Sequence, residues 1–230
     1  MTTAARLATT DGTIPELTFR VTGAEPDPVA AVPTLRFALE LARSGGGPVR
    51  AVSLTVMLRI DVLRREHPAD THAALAELFG LPEEWHRSMR PLAWTQATVH
   101  VPSFTDRTTV PFPVACGTDP ELAVTKYLRA AKEGTVPLGF LFNGTFFYEH
   151  AGTGGGAPAL RAAAIPWSAE AGYDLPAGLW HSLVERYHGG SPWLRLPRET
   201  YDRLDAFRAR NVLGSADDAV RALLDRSGAP

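Results

Sequence analysis

The chain is poor in cysteine, in lysine and in long apolar runs, and each shortage excludes something. Its one cysteine, Cys116, leaves no partner for an intrachain disulfide and is too few for an iron–sulfur cluster held by thiolates. Lysine occurs only as Lys126 and Lys132 among 23 basic residues. Arginine supplies the rest, which with the many alanines reads as the codon bias of a high-GC genome. No run of 18 apolar residues occurs, so no membrane-spanning helix is expected. Met1–Gly12 has no apolar stretch and a single basic residue, Arg6, which does not fit a secretory signal. A cytoplasmic location is therefore expected, and the sequon at Asn143 carries no expectation of glycosylation. Neither sign of charge dominates: the net charge is -2. That balance argues against an electrostatically driven nucleic-acid coat or membrane-surface binder.

What remains is ordinary for a globular protein. The chain has 230 residues, of which 45% are hydrophobic and 21% charged. Such a chain can bury a core without a metal or disulfide. Residues 1–14 read as a loose tail and 15–230 as one α+β domain, with 176–230 as its helical subregion.

Hydrophobic periodicity supplies the elements. Leu17, Phe19 and Val21 alternate with polar residues, as do Leu35, Phe37, Leu39 and Leu41. A loop is expected over Ala24–Val32, which contains Pro26 and Pro28. Val52, Leu54, Val56, Leu58, Ile60 and Val62 form an unbroken even-numbered face. The short turn Ser44–Pro48 between these last two runs predicts an antiparallel hairpin. Helical spacing appears at Ala74, Leu75, Leu78 and Phe79, closed by Gly80, and Pro82 can open a second short helix. Strands are expected over Leu92–Val101, Val110–Cys116, Val136–Tyr148 and Leu160–Trp167, and a helix from Asp119 to about Lys132. Gly144 falls on the apolar face of its strand, which marks a bulge or a close backbone approach. Three helices follow, over Pro176–His188, Arg198–Asn211 and Ser215–Asp225. Strands in series and clustered helices predict an α+β fold. The expected architecture is a twisted antiparallel β-sheet, single or split into two packed sheets, with inserted helices and a C-terminal helical cluster covering it.

Candidate sites are sparse. Trp193–Pro197 is strand-like and precedes two amphipathic helices, with Ser215 and Asp218 in a capping-box arrangement. This order resembles a ribbon-helix-helix module, and that resemblance implies base contacts from Arg195 and Arg198. From Gly189 onward, however, seven arginines meet six acidic residues. A DNA-reading module should be clearly basic, so a helical hairpin closing the core is the favoured reading. The glycines around Gly154 lack the lysine and spacing of a phosphate loop and read as a hairpin loop. His181 and His188 are too far apart on a helix for a zinc pair. His100 would approach Cys116 if their strands paired, giving a conceivable nucleophile pair. Cys116, after the Phe112/Val114 alternation, reads better as a small buried hydrophobe. Phe147 points opposite to Phe146, so it belongs either to a partner surface, together with Trp193, or to a second core layer under the C-terminal helices. The second is the favoured reading.

Several motifs, in order, resemble an uncharacterised actinobacterial protein family. They include Pro33–Phe37, Leu58-Arg59-Ile60, Leu78-Phe79-Gly80, Pro113–Cys116, Lys126-Tyr127, Leu141–Tyr148, Ile165-Pro166-Trp167 and Trp193–Leu196. The resemblance covers roughly residues 15–226. Members of that family are associated with gene clusters for high-affinity [NiFe] hydrogenases, and no catalytic residue is assigned in it. The resemblance implies a non-enzymatic accessory factor for hydrogenase assembly or maturation. Its partner would be a hydrogenase subunit or maturation factor, and no cofactor, metal or nucleic acid is expected. The alternatives are a DNA-binding regulator through Arg195 and Arg198, and an enzyme using Cys116 and His100.

Overall fold

The turn at Gly45 and Gly46, both at positive φ, decides the architecture. It does not close a hairpin. A computed structural model describes residues 13–117, 119, 122–150, 158–189 and 194–228. In it β1 (Glu16–Pro26) and β2 (Thr34–Ser44) pair antiparallel, and β5 (Arg107–Ala115) lies on the other side of β2. The strand after the turn, β3 (Val49–Ile60), belongs to a second sheet. There it sits between β4 (Leu92–Val101) and β6 (Thr135–His150). The hairpin expectation is thus corrected: the turn carries the chain from one sheet to the other. Periodicity shows that each strand has one apolar face, which a sandwich satisfies as well as a hairpin.

The second sheet is completed by β7 (Ala159–Ile165) and β8 (Glu170–Pro176). Both pair with β6, β7 along its C-terminal half and β8 along its N-terminal half. β8 was not expected, although Ala171, Tyr173 and Leu175 alternate along it. β1 also runs further than expected. A register shift between Val21 and Gly23 lets it continue to Pro26, a residue tolerated because β1 is an edge strand.

The core lies between the sheets. Leu35, Phe37, Leu39 and Leu41 of β2 face Val52, Leu54, Val56, Leu58 and Ile60 of β3, and all nine are fully buried. Aromatic rings cross the interface: Phe19 stacks on Phe142 at 4.5 Å, and Phe37 and Phe112 meet Phe140 edge-on at 5.3 and 6.2 Å. Gly144 is needed at the β3–β6 pair. Its φ is +141°, and a Cβ there would lie 2.0 Å from the Ser53 carbonyl oxygen. The expected close approach is real, and no register shift occurs at that position.

Helices interrupt the sheets. Between β3 and β4 the chain forms 3-10 turns and the helices α1 (His72–Phe79) and α2 (Trp85–Ser88). Gly80 closes α1 at positive φ, as expected. Between β5 and β6 runs α3 (Ala123–Ala130), shorter than expected. Asp119 instead accepts a separate turn bond from the Leu122 N–H, and Leu122 is extended. After β8 comes α4 (Ala177–His188), which packs on β1 and β8 through Trp180 and Leu183. The architecture is α+β with two antiparallel sheets.

The chain divides into two compact units, Met1–Ser191 and Pro192–Pro230. The second holds α5 (Arg198–Arg210) and α6 (Ala216–Ser227). Ser215 caps α6 by accepting from the Asp218 N–H at 3.0 Å, and its hydroxyl donates to the Asp218 carboxylate at 2.7 Å.

Candidate functional site

The chemistry considered from the sequence is dispersed. Cys116 follows β5, is buried, and its N–H donates to the Pro33 carbonyl at 2.7 Å. Burial pushes its thiol up to about 12, so it carries no thiolate near neutral pH. His100 is exposed on β4, in the other sheet, and β4 and β5 do not pair. The condition for a Cys116–His100 pair is therefore not met. His181 Nε2 donates to the Ala131 carbonyl at 3.1 Å. Among the described residues no group of three or more His, Cys, Asp or Glu could hold a metal ion. No helix among them is long and apolar enough to cross a membrane. The glycine run around Gly154 lies outside the described residues.

The strand expected at the start of the ribbon-helix-helix resemblance is also absent where it can be seen. Leu194–Pro197 is irregular, because no strand among the described residues pairs with it and Pro197 precedes the helix. Arg195 is exposed there, and Arg198 is already paired with Asp202 one turn along α5, at 2.9 Å. Phe147 lies on the outer face of the second sheet, between Ala51 and Ala162, and is 38% exposed. Trp193 lies outside the described residues.

Sequence reasoning missed a cleft. Both lysines of the chain, with Arg65 and Arg129, line a space of about 540 Å³ between α3 and the segment leading into α1. Part of the signal lies in Lys126 and Lys132, the chain's two lysines, six residues apart. Most of this charge is already engaged. Lys126 is paired with Glu77, and Arg65 donates to the backbone carbonyls of Glu133 at 2.6 Å and Thr135 at 3.1 Å. Behind the cleft, His67 Nε2 lies 3.1 Å from the Tyr127 hydroxyl. The His72 ring donates to the His67 carbonyl at 3.0 Å, and Trp85 packs edge-on against both histidines. Burial, then Arg65 and His72, holds His67 below its ordinary pKa, while burial raises Tyr127 to about 12. Both groups are therefore neutral at pH 7. The space beside them, about 10 Å³, is the size of one water. This arrangement fastens the Arg65–His72 segment to α3, and the geometry offers no room for a substrate at the His67–Tyr127 pair.

Two surfaces are less committed. The first is the edge of β4, which among the described residues pairs only with β3. Its sequence, Leu-Ala-Trp-Thr-Gln-Ala-Thr-Val-His-Val, contains no proline and no acidic, lysine or arginine residue over ten positions. α3 packs near part of it. The second is a groove of about 740 Å³ on the C-terminal unit, between α5 and α6. Leu194, Leu204, Phe207, Val220 and Leu223 line it, with Arg203 and Arg210 beside them. Within this unit only Ala219 is buried among the described residues.

Comparison with known proteins adds a family and little more. No curated protein matches the chain. Among solved structures, it is similar to the CARDB domain of a Pyrococcus furiosus protein in complex with di-metal ions, at 12% identity. The match covers 76% of this chain and 98% of that one, with a TM-score of 0.30, too low to carry an argument. A family model matches residues 14–230, nearly the whole chain. The chain belongs to DUF6084, a family of unknown function.

Proposed function

We propose that this protein is a non-enzymatic accessory factor that binds another protein by adding one of its strands to the edge of β4. The observation that supports this reading is the character of that edge. A free strand edge presents unpaired N–H and C=O groups, and soluble proteins usually blunt it with proline, charge or a bulge. Over Leu92–Val101 none of the first two is present. Its one register shift, opposite Leu58/Arg59, lies near one end and leaves Gln96 to Val101 in regular pairing. An extended peptide could add there through main-chain bonds, with side chains such as Gln96, Thr98 and His100 setting its register. The engaged charges of the Lys126 cleft and the high thiol pKa of Cys116 favour binding over catalysis as the reading. The client we propose is a [NiFe] hydrogenase subunit or maturation factor, and that part rests on the family resemblance alone.

The test is co-purification from the native host with the tagged full chain and its Gln96→Lys/Thr98→Lys variant. Both side chains are exposed, so the variant should fold and blunt the edge. A hydrogenase subunit or maturation protein is expected with the wild type and should be lost with the variant. Identical sets of captured proteins from the two would overturn β4 as the binding edge. A client unrelated to hydrogenase, lost with the variant, would keep the edge and replace the client.

A further inference from the structure

The C-terminal unit bears an apolar groove that the β4 reading does not use. Pro192–Pro230 is a helical hairpin of a size that seldom supports its own core. Only Ala219 among its described residues is buried, while Leu194 is 67% exposed and Leu223 42% exposed. Its charges are unevenly used. Arg198, Arg208 and Arg221 pair with Asp202, Asp205 and Asp217 on their own helices. Arg226 reaches Asn211 and lies over the Phe207 ring, 5.1 Å from its centroid. The Arg203 and Arg210 side chains have no hydrogen-bond or ion-pair partner among the described residues, and both line the apolar groove. No carboxylate lines it.

We infer that the α5–α6 groove receives an amphipathic helix of a protein partner whose apolar stripe is flanked by carboxylates. Apolar area between two helices is the shape that a third helix fills. The charge selects its flank: Arg203 and Arg210 stand seven residues apart on α5, two turns and about 10 Å along its axis. Acidic residues with the same spacing on the incoming helix meet both guanidiniums. A second copy of this chain is the poorer occupant. Two-fold pairing of groove on groove sets Arg203 and Arg210 against the same arginines of the copy. The groove lies on α5 and α6 and the edge on β4, so either surface can fail in experiment without the other.

The test uses the full-length protein and three labelled helical peptides of roughly 18 residues, about five turns. They share a leucine stripe and differ only in two flanking positions, seven apart, occupied by Glu, Gln or Lys. Fluorescence anisotropy should rank them Glu, Gln, Lys, with the Glu peptide about tenfold tighter than the Gln peptide. Charge reversal by Arg203→Glu/Arg210→Glu should invert the order so that the Lys peptide binds best. The Gln96→Lys/Thr98→Lys variant should keep the wild-type ranking. Equal affinity for the three peptides, or a reversed variant that still prefers Glu, would overturn the inference. A concentration-dependent dimer in analytical ultracentrifugation that Leu223→Asp dissolves would overturn it as well, in favour of a second copy.

Discussion

The β5 edge of the first sheet and the β4 edge of the second are built in opposite ways. β5, at one edge of the first sheet, carries Pro111 and Pro113 opposite Ala38 and Arg36 of β2. Residues two apart on a strand turn their backbone N–H to the same side. Both missing donors therefore lie on the free side, since the ladder to β2 is continuous across them. The outer face of that sheet is also charged, with Arg36–Glu25, Arg20–Glu40 and Arg107–Glu40 pairs across its strands. β4, at one edge of the second sheet, has neither device, and its Thr98 hydroxyl lies 3.4 Å from that of Thr55 on the neighbouring β3. Solubility alone would favour blunting both edges. A molecule that protects one edge and leaves the other bare invites the reading that the bare one is used.

The largest expected effect breaks the second sheet and spares the first. Gly144→Ala puts a methyl 2.0 Å from the Ser53 carbonyl oxygen, at a φ that suits glycine, and should cost about 4 kcal/mol in denaturant unfolding. Gly23→Ala, in the first sheet, meets nothing within 4 Å and should stay within about 0.5 kcal/mol of wild type. Comparable losses at the two sites would show that the β3–β6 contact is looser than described. A smaller change in stability but a visible change in behaviour should follow Pro111→Thr/Pro113→Val. Restoring two donors to the β5 edge should produce self-association in light scattering with stability altered by less than about 1 kcal/mol. A variant as monodisperse as wild type would mean that the prolines do not guard that edge.

The finest test concerns His67. Its pKa is lowered in the folded state, so the unfolded chain binds the proton more readily. Its contribution to stability is complete above its ordinary 6.5 and is lost as pH falls through the lower folded value. Melting temperature should therefore decline as pH falls from 6.5 to the folded value, and His67 should add no further slope below it. His67→Leu should flatten this part of the profile and cost about 1–2 kcal/mol at pH 7, because the buried Tyr127 hydroxyl loses its partner. An unchanged acid slope in the variant would place the titration elsewhere.

Most strands were legible because each alternates cleanly. The even face of β3 and the odd face of β2 are the core faces observed. Their sheet membership was not legible, since alternation records which side of a strand is dry and says nothing about what lies opposite. The bareness of β4 stood in the sequence, but its status as an edge required the topology. The α5 and α6 apolar residues were equally visible, and their exposure was not: a helix stripe reads the same whether it is buried or waiting for a partner. The Lys126 cleft brings Arg65 from a distant segment to Lys126 and Lys132, beyond the reach of local spacing.

β6 binds three strands, and this has a consequence for the timing of synthesis. β3 is complete at Ile60, whereas β6 begins only at Thr135, about 75 residues later. At translation rates of roughly 5–20 residues per second, that interval is about 4–15 s. During it the nascent β3 can be flanked on one side by β4 but lacks its other neighbour, and Leu54, Val56 and Leu58 have no opposing Phe140 or Phe142. The second sheet can close only once β6 has been made, so the nascent chain before that point is the form most in need of protection from aggregation.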